Sequence, residues 1–177
     1  LKHVFNPRKL FVIVGYPCSG KKRVLQELFA RKHFFPLKEP ITSSVLNGDF
    51  VVINMTNRRK RTSVMCSFIS RVMQYHAASS ASGIIMLSLV LDNGLHDAGE
   101  MIRYLNASGY TMHYLVLRSS WSDKQLISDG DLQALKSLVS RGTVHVFEKL
   151  VTQSGVRFEQ RQEELAEVIN EVLGGCS

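Results

Sequence analysis

Eight residues after Gly83, Ile-Ile-Met-Leu-Ser-Leu-Val-Leu, leave this chain few architectures. A strand over Gly83 to Leu91 that is apolar almost throughout is buried on both faces, as strands are inside a parallel sheet. Ile84 to Leu91 is far too short to cross a bilayer, which takes ~20 residues. Parallel neighbours need crossover connections, usually helices, and the sequence supplies them in alternation. Phe11 to Val14 is a short apolar strand, followed by a helix over Lys21 to Lys32 with Val24, Leu25, Leu28 and Phe29 on one face. Phe34 to Gly48 reads as irregular, broken by Pro36 and Pro40. Asp49 to Asn54 is a second strand, and Ser63 to His76 a helix with Met65, Phe68, Ile69, Val72 and Met73 in one stripe. Beyond the Gly83 strand come a helix at His96 to Ala107, a strand at Tyr110 to Leu117 and a helix at Asp129 to Ser140. A fifth strand at Thr143 to Phe147 and a last helix at Phe158 to Leu173 complete the pattern.

The expected fold is therefore α/β: a three-layer sandwich around a mostly parallel five-stranded sheet, formed by residues 1–177 as a single domain. The stripes named above are core faces. No repeat and no low-complexity segment interrupts them.

Charge is uneven. The formal net charge is +7, but Leu1 to Ser80 holds 14 Lys+Arg against 3 Asp+Glu, and the remainder 8 against 12. A basic amino-terminal half fits phosphate-bearing partners, nucleic acid included, as well as a plain solvated face. Cys18, Cys66 and Cys176 are odd in number and widely spaced, so they make neither a disulfide framework nor a zinc site. A reduced, cytoplasmic protein is the simplest expectation, and no membrane partner is expected.

Between the first strand and first helix stands Gly15-Tyr16-Pro17-Cys18-Ser19-Gly20-Lys21-Lys22. It matches G-x-x-x-x-G-K, the core of the Walker A pattern. Glycines at those positions let the backbone curl until successive N–H groups face phosphate oxygens. The helix that follows adds its positive end, and Lys21 reaches the outer phosphates. Gly15, Ser19, Gly20, Lys21 and Lys22 are thus the expected nucleotide-binding residues. One departure stands out: Lys22 occupies the place of the Ser or Thr whose hydroxyl holds Mg²⁺. An ammonium cannot ligate a cation, so either other groups hold the metal or Lys22 neutralises phosphate charge in its stead.

Three further residues follow strands on the same side of the expected sheet. Asp92 ends the Gly83 strand, where a carboxylate holds Mg²⁺ or its water shell, or where a plain Asp-Asn-Gly turn stands. Arg58 opens the run Arg58-Arg59-Lys60-Arg61 and is the preferred acceptor-binding residue, against the reading of an exposed basic loop. Arg118 follows the fourth strand and would compensate charge on a transferring phosphoryl group, with Ser119 to Lys124 as a short lid. The loop Thr152-Gln153-Ser154-Gly155 is a weak pointer to a base site. No Ser–His–Asp or metal-ligand spacing is evident, and His113 and His145 read as structural.

On the Gly15 to Lys21 motif, the strand running into Asp92 and the final strand–loop–helix, the chain resembles the kinase branch of the P-loop nucleoside-triphosphate hydrolases. Within it the layout is similar to small nucleotide and nucleoside kinases, including dephospho-CoA kinase-like and phage deoxynucleoside monophosphate kinase-like proteins. The resemblance implies a phosphotransferase taking ATP or GTP, with a small phosphorylated acceptor. Lys21, Asp92 and Arg118 would be catalytic, Asp92 near magnesium, and Arg58 on the acceptor. Asn54 and Asn57 stand where the family carries an acidic base. Two other readings follow from Lys22, the missing base and the basic half: a non-catalytic nucleotide-binding or assembly module, and a nucleic-acid-handling P-loop protein.

Overall fold

A computed structural model describes residues 8–122 and 125–174. Six strands form one sheet: β1 (Lys9–Gly15), β2 (Ile41–Thr42), β3 (Asp49–Val52), β4 (Ser82–Ser88), β5 (Thr111–Leu117) and β6 (Thr143–Phe147). Their order is β2-β3-β4-β1-β5-β6, parallel throughout except for the antiparallel edge strand β2. Five helices connect or follow them: α1 (Lys21–Phe29), α2 (Thr62–Tyr75), α3 (Ala98–Ala107), α4 (Asp129–Leu138) and α5 (Gly155–Gly174).

The alternation of side chains along β1 divides the core in two. Leu10, Val12 and Val14 meet the apolar stripes of α2, α3 and α4, including Met65, Ile69, Met101 and Leu135. Phe11 and Ile13 meet α1 and α5 through Val24, Leu25, Leu165 and Ile169. Helices thus cover both faces. Every residue of β4 is buried, in keeping with its almost wholly apolar sequence.

The mostly parallel α/β sheet expected from the sequence is present, with two corrections. The sheet has six strands, because Ile41–Thr42 pairs with Phe50 and Asp49 inside the segment read as irregular. Two residues are too few to show a period. In addition, β4 ends at Ser88, three residues before the apolar run does. Leu89 still donates to the Gly15 carbonyl at 2.9 Å, but Val90 N–H turns back onto Ser88 O at 2.9 Å. Apolarity persists past the ladder because Leu89 remains in the core.

The connections after β1 and β4 leave to opposite faces of the sheet: β1 leads into α1, β4 into α3. Adjacent parallel strands whose chains diverge this way open a crevice at their carboxyl ends, where open α/β sheets bind ligands.

Candidate functional site

That crevice is a cavity of about 640 Å³, walled by the loop after β1, the loop after β3 and the end of β4. The first wall packs closely on the strand: a Cβ at Gly15 would lie 2.3 Å from Ser19 Oγ, so a larger residue there would force that hydroxyl to move. Cys18 (φ 61°) and Gly20 (φ 89°) take left-handed backbone, and Ser19 N–H donates to Tyr16 O at 3.2 Å. Gly20 then caps α1 with no side-chain bond, and no acid stands in the first turn.

Three cations, Lys21, Lys22 and Arg23, instead begin α1. Positive charge at the positive end of a helix dipole is unfavourable, and an anion at that end relieves it. Lys21 makes the point most sharply. Its residue is 4% exposed, and Nζ donates to Tyr16 O at 2.8 Å and, more distantly, to Gly15 O and Ser19 Oγ at 3.4 Å. All three partners are neutral. Burial pushes its pKa down from 10.5 to about 8, with Cys18 nearby acting to raise it and Arg58 to lower it further.

The second wall is held by Asn57, which is fully buried. Its Nδ2 donates to Ser88 O and His96 O, both at 2.9 Å, and its Oδ1 accepts from Ser88 N–H at 2.7 Å. His96 Nδ1 sits 2.6 Å from Asn57 O, and Thr62 Oγ1 donates to Asp97 O at 3.0 Å. The loop after β3 is thereby stapled to the end of β4 and the loop after it. The staple leaves Arg58, Arg59 and Lys60 exposed on the crevice side. Arg58 reaches across the mouth to donate to Cys18 Sγ.

Of the residues expected from the sequence, Ser19, Gly20, Lys21, Lys22 and Arg58 line this crevice, and Gly15 forms its root. Asp92 and Arg118 stand apart. Asp92 is exposed, accepts from Gly94 N–H at 2.8 Å in its own turn, and lines a neighbouring open hollow of about 890 Å³. Cys18 and Arg58 border both spaces. Arg118 is paired with Asp129 at 2.5 Å and lies 3.9 Å from Glu148. Its bond to Asp129 holds its pKa above the ordinary arginine value. Ser119 to Ser122 follow it, with Trp121 stacked beneath the Arg23 guanidinium at 4.4 Å; the remaining lid residues, 123 and 124, lie outside the described residues, as does Cys176.

Two site residues escaped the sequence reading. Ser88 pairs with Gly15 across β1 and β4 and lines the crevice. Its one signal was to be the sole polar residue in the run Ile84 to Leu91. Asn57, which stands where an acidic base would be expected, instead clamps Ser88 and His96.

The fold family suggested by the sequence would bring Mg²⁺. A hard dication asks for oxygen ligands, and carboxylates above all. Among the described residues, five cations line the crevice (Lys21, Lys22, Arg58, Arg59, Lys60) and no carboxylate does. Lys22 stands in the first turn of α1, Ser88 ends β4, and Asp92 faces the adjoining hollow. These residues do not fit a protein-held magnesium ion in the crevice.

Elsewhere, His113 is buried, has Nδ1 2.8 Å from Thr143 Oγ1, and is pushed down to about 4 by burial, with His145 and Lys9 adding to the shift. It is a core histidine. No helix among the described residues is long and apolar enough to cross a membrane. No protein-family model matches this sequence, and no curated protein is significantly similar to it.

Proposed function

We propose that this chain binds the phosphate chain of a nucleotide, ATP or GTP, in the crevice between β1 and β4. The observation that carries the reading is the buried Lys21 ammonium, which has only neutral partners and faces a cavity walled by four further cations. A buried charge without a counter-charge is costly, and a bound phosphate removes that cost. The curled loop adds backbone donors, as a P-loop does. On this reading the protein is a P-loop nucleotide-binding module. The test is calorimetric titration with ATP and GTP: wild type binds, and Lys21→Ala loses at least about 100-fold in affinity. Equal binding by both proteins would refute it.

Phosphoryl transfer to a small phosphorylated acceptor is the second reading. Its support is the adjacency of the crevice to the Asp92 hollow across Arg58 and Cys18, which gives an acceptor a place beside the phosphates. Lys21 would withdraw charge from the transferring group, Arg58 would hold the acceptor and Arg118 would act only after leaving its acid partners. Nucleoside diphosphate release that depends on an added acceptor supports it; none across a broad acceptor panel removes it, leaving binding alone.

A further inference from the structure

We infer that this crevice takes its polyphosphate ligand as the free anion, with Lys22, Arg58 and Lys60 supplying the charge that a divalent metal would otherwise supply. The inference rests on the nucleotide-binding reading above and names the ionic form of its ligand.

Three independent placements support it. At the start of α1, Lys22 projects an ammonium where a metal ligand would need an oxygen lone pair. At the end of β4, Ser88 stands in register with Gly15, so the central strand presents no carboxylate to the crevice. On the loop after β3, Asn57 fixes the backbone so that Arg58, Arg59 and Lys60 rim the cavity. None of the ion pairs among the described residues includes any of these cations. Their charges therefore add. Among the described residues, a dication entering this space meets five positive groups and no acid to offset them, whereas a polyphosphate meets five donors with charge-assisted hydrogen bonds to offer. Complexing the ligand with Mg²⁺ beforehand cancels part of the attraction and occupies the oxygens that Lys22 and Arg58 would bind.

The test is calorimetry with ATP and with inorganic tripolyphosphate, each in EDTA and in excess Mg²⁺ at matched ionic strength, on wild type, Lys22→Ser and the Lys22→Ser/Ser88→Asp pair. In EDTA, wild type binds both anions at least about tenfold more tightly than in Mg²⁺, the scale of one charge-assisted bond. Lys22→Ser weakens binding in EDTA and narrows that ratio. Restoring two oxygen ligands in the double variant reverses the preference towards Mg²⁺. Tighter binding by wild type in Mg²⁺ overturns the inference and leaves the nucleotide reading standing. No binding of either anion under either condition overturns that reading and the inference with it.

Discussion

Arg58 and Arg118 each follow a parallel strand at the carboxyl end of the sheet, yet they have opposite surroundings. Arg118 is 17% exposed in its side chain and lies between Asp129 and Glu148. Arg58 is exposed, touches the Cys18 thiol and meets no carboxylate among the described residues. The same division runs through the elements around them. Loops after β1 and β3 gather Lys21, Lys22, Arg58, Arg59 and Lys60 around one cavity. Loops after β4 and β5 carry Asp92 and the paired Arg118. A paired cation ties a loop down; an exposed cation kept away from acids stays hydrated and available to a ligand, and only the buried Lys21 carries a desolvation cost. The nucleotide-binding proposal rests on the unpaired half, where these cations line one cavity.

Removing the cations of each half one at a time is the strongest way to break the contrast. Lys21→Ala should remove at least about 100-fold of ATP affinity and Arg58→Ala about tenfold, by the worth of charged hydrogen bonds. Arg118→Ala should change affinity by less than about threefold and instead cost stability of about 0.5–1 kcal/mol, the scale of a partly exposed ion pair. Denaturant titration and calorimetry on the three variants separate these outcomes. A large affinity loss in Arg118→Ala with Arg58→Ala unaffected would invert the assignment.

A buried, unpaired ammonium also leaves a thermodynamic mark. With its folded pKa lowered to about 8, Lys21 is charged in both states below pH 8, and its burial cost is then fully present. Between about pH 8 and 10.5 the unfolded chain holds the extra proton, so this residue contributes a rise in stability with pH across that window. Lys21→Met should therefore be more stable than wild type at pH 7, by about 1–3 kcal/mol, and should lack that rise. Unfolding free energies measured at pH 7 and pH 10 check both statements. A destabilised Lys21→Met would mean its hydrogen bonds to Gly15 and Tyr16 outweigh the desolvation.

Ligand binding should show the complementary trend. Phosphate favours the charged ammonium, so ATP affinity should fall as pH rises above about 8, up to about tenfold per unit. Lys21→Arg, which cannot deprotonate, should flatten that profile if it binds at all, and Arg118→Ala should keep the wild-type profile.

The smallest effect expected concerns the thiols. Cys18 is exposed at the crevice mouth, whereas burial pushes Cys66 up to about 11. Alkylation near neutral pH should modify Cys18 well before Cys66, and saturating ATP should slow it severalfold. Mass mapping of the modified peptides reads this directly. Unchanged Cys18 labelling in the presence of ATP would place the ligand elsewhere.

Much of the first wall was legible in the sequence because it is local. Gly15, Ser19, Gly20, Lys21 and Lys22 belong to one turn, and that turn's spacing already states its geometry. The apolar runs likewise placed five of the six strands. What the sequence did not disclose depends on register and on distant partners. The end of β4 is set by where its ladder with β1 stops and by Asn57, thirty-one residues earlier, which binds the backbone N–H and C=O of Ser88. Hydrophobicity continues beyond that point because Leu89 still packs in the core, so Asp92 read as the strand end when Ser88 holds that position. Arg118, like Arg58, stands in the loop after a parallel strand, and nothing local in the sequence showed that it is paired with acids. Only Asp129 and Glu148, brought in by α4 and the segment after β6, distinguish the two. The edge strand β2 was hidden by its length, since two residues carry no period.

Hydrogen–deuterium exchange with and without ATP, resolved by peptide, tests the division of this end of the sheet most directly. Protection is expected in two segments at once, Tyr16 to Lys22 and Asn54 to Lys60, with Asp92 to Leu95 and Arg118 to Ser122 unchanged. Protection confined to the Asp92 and Arg118 loops, or no change anywhere at saturating ATP, would contradict it.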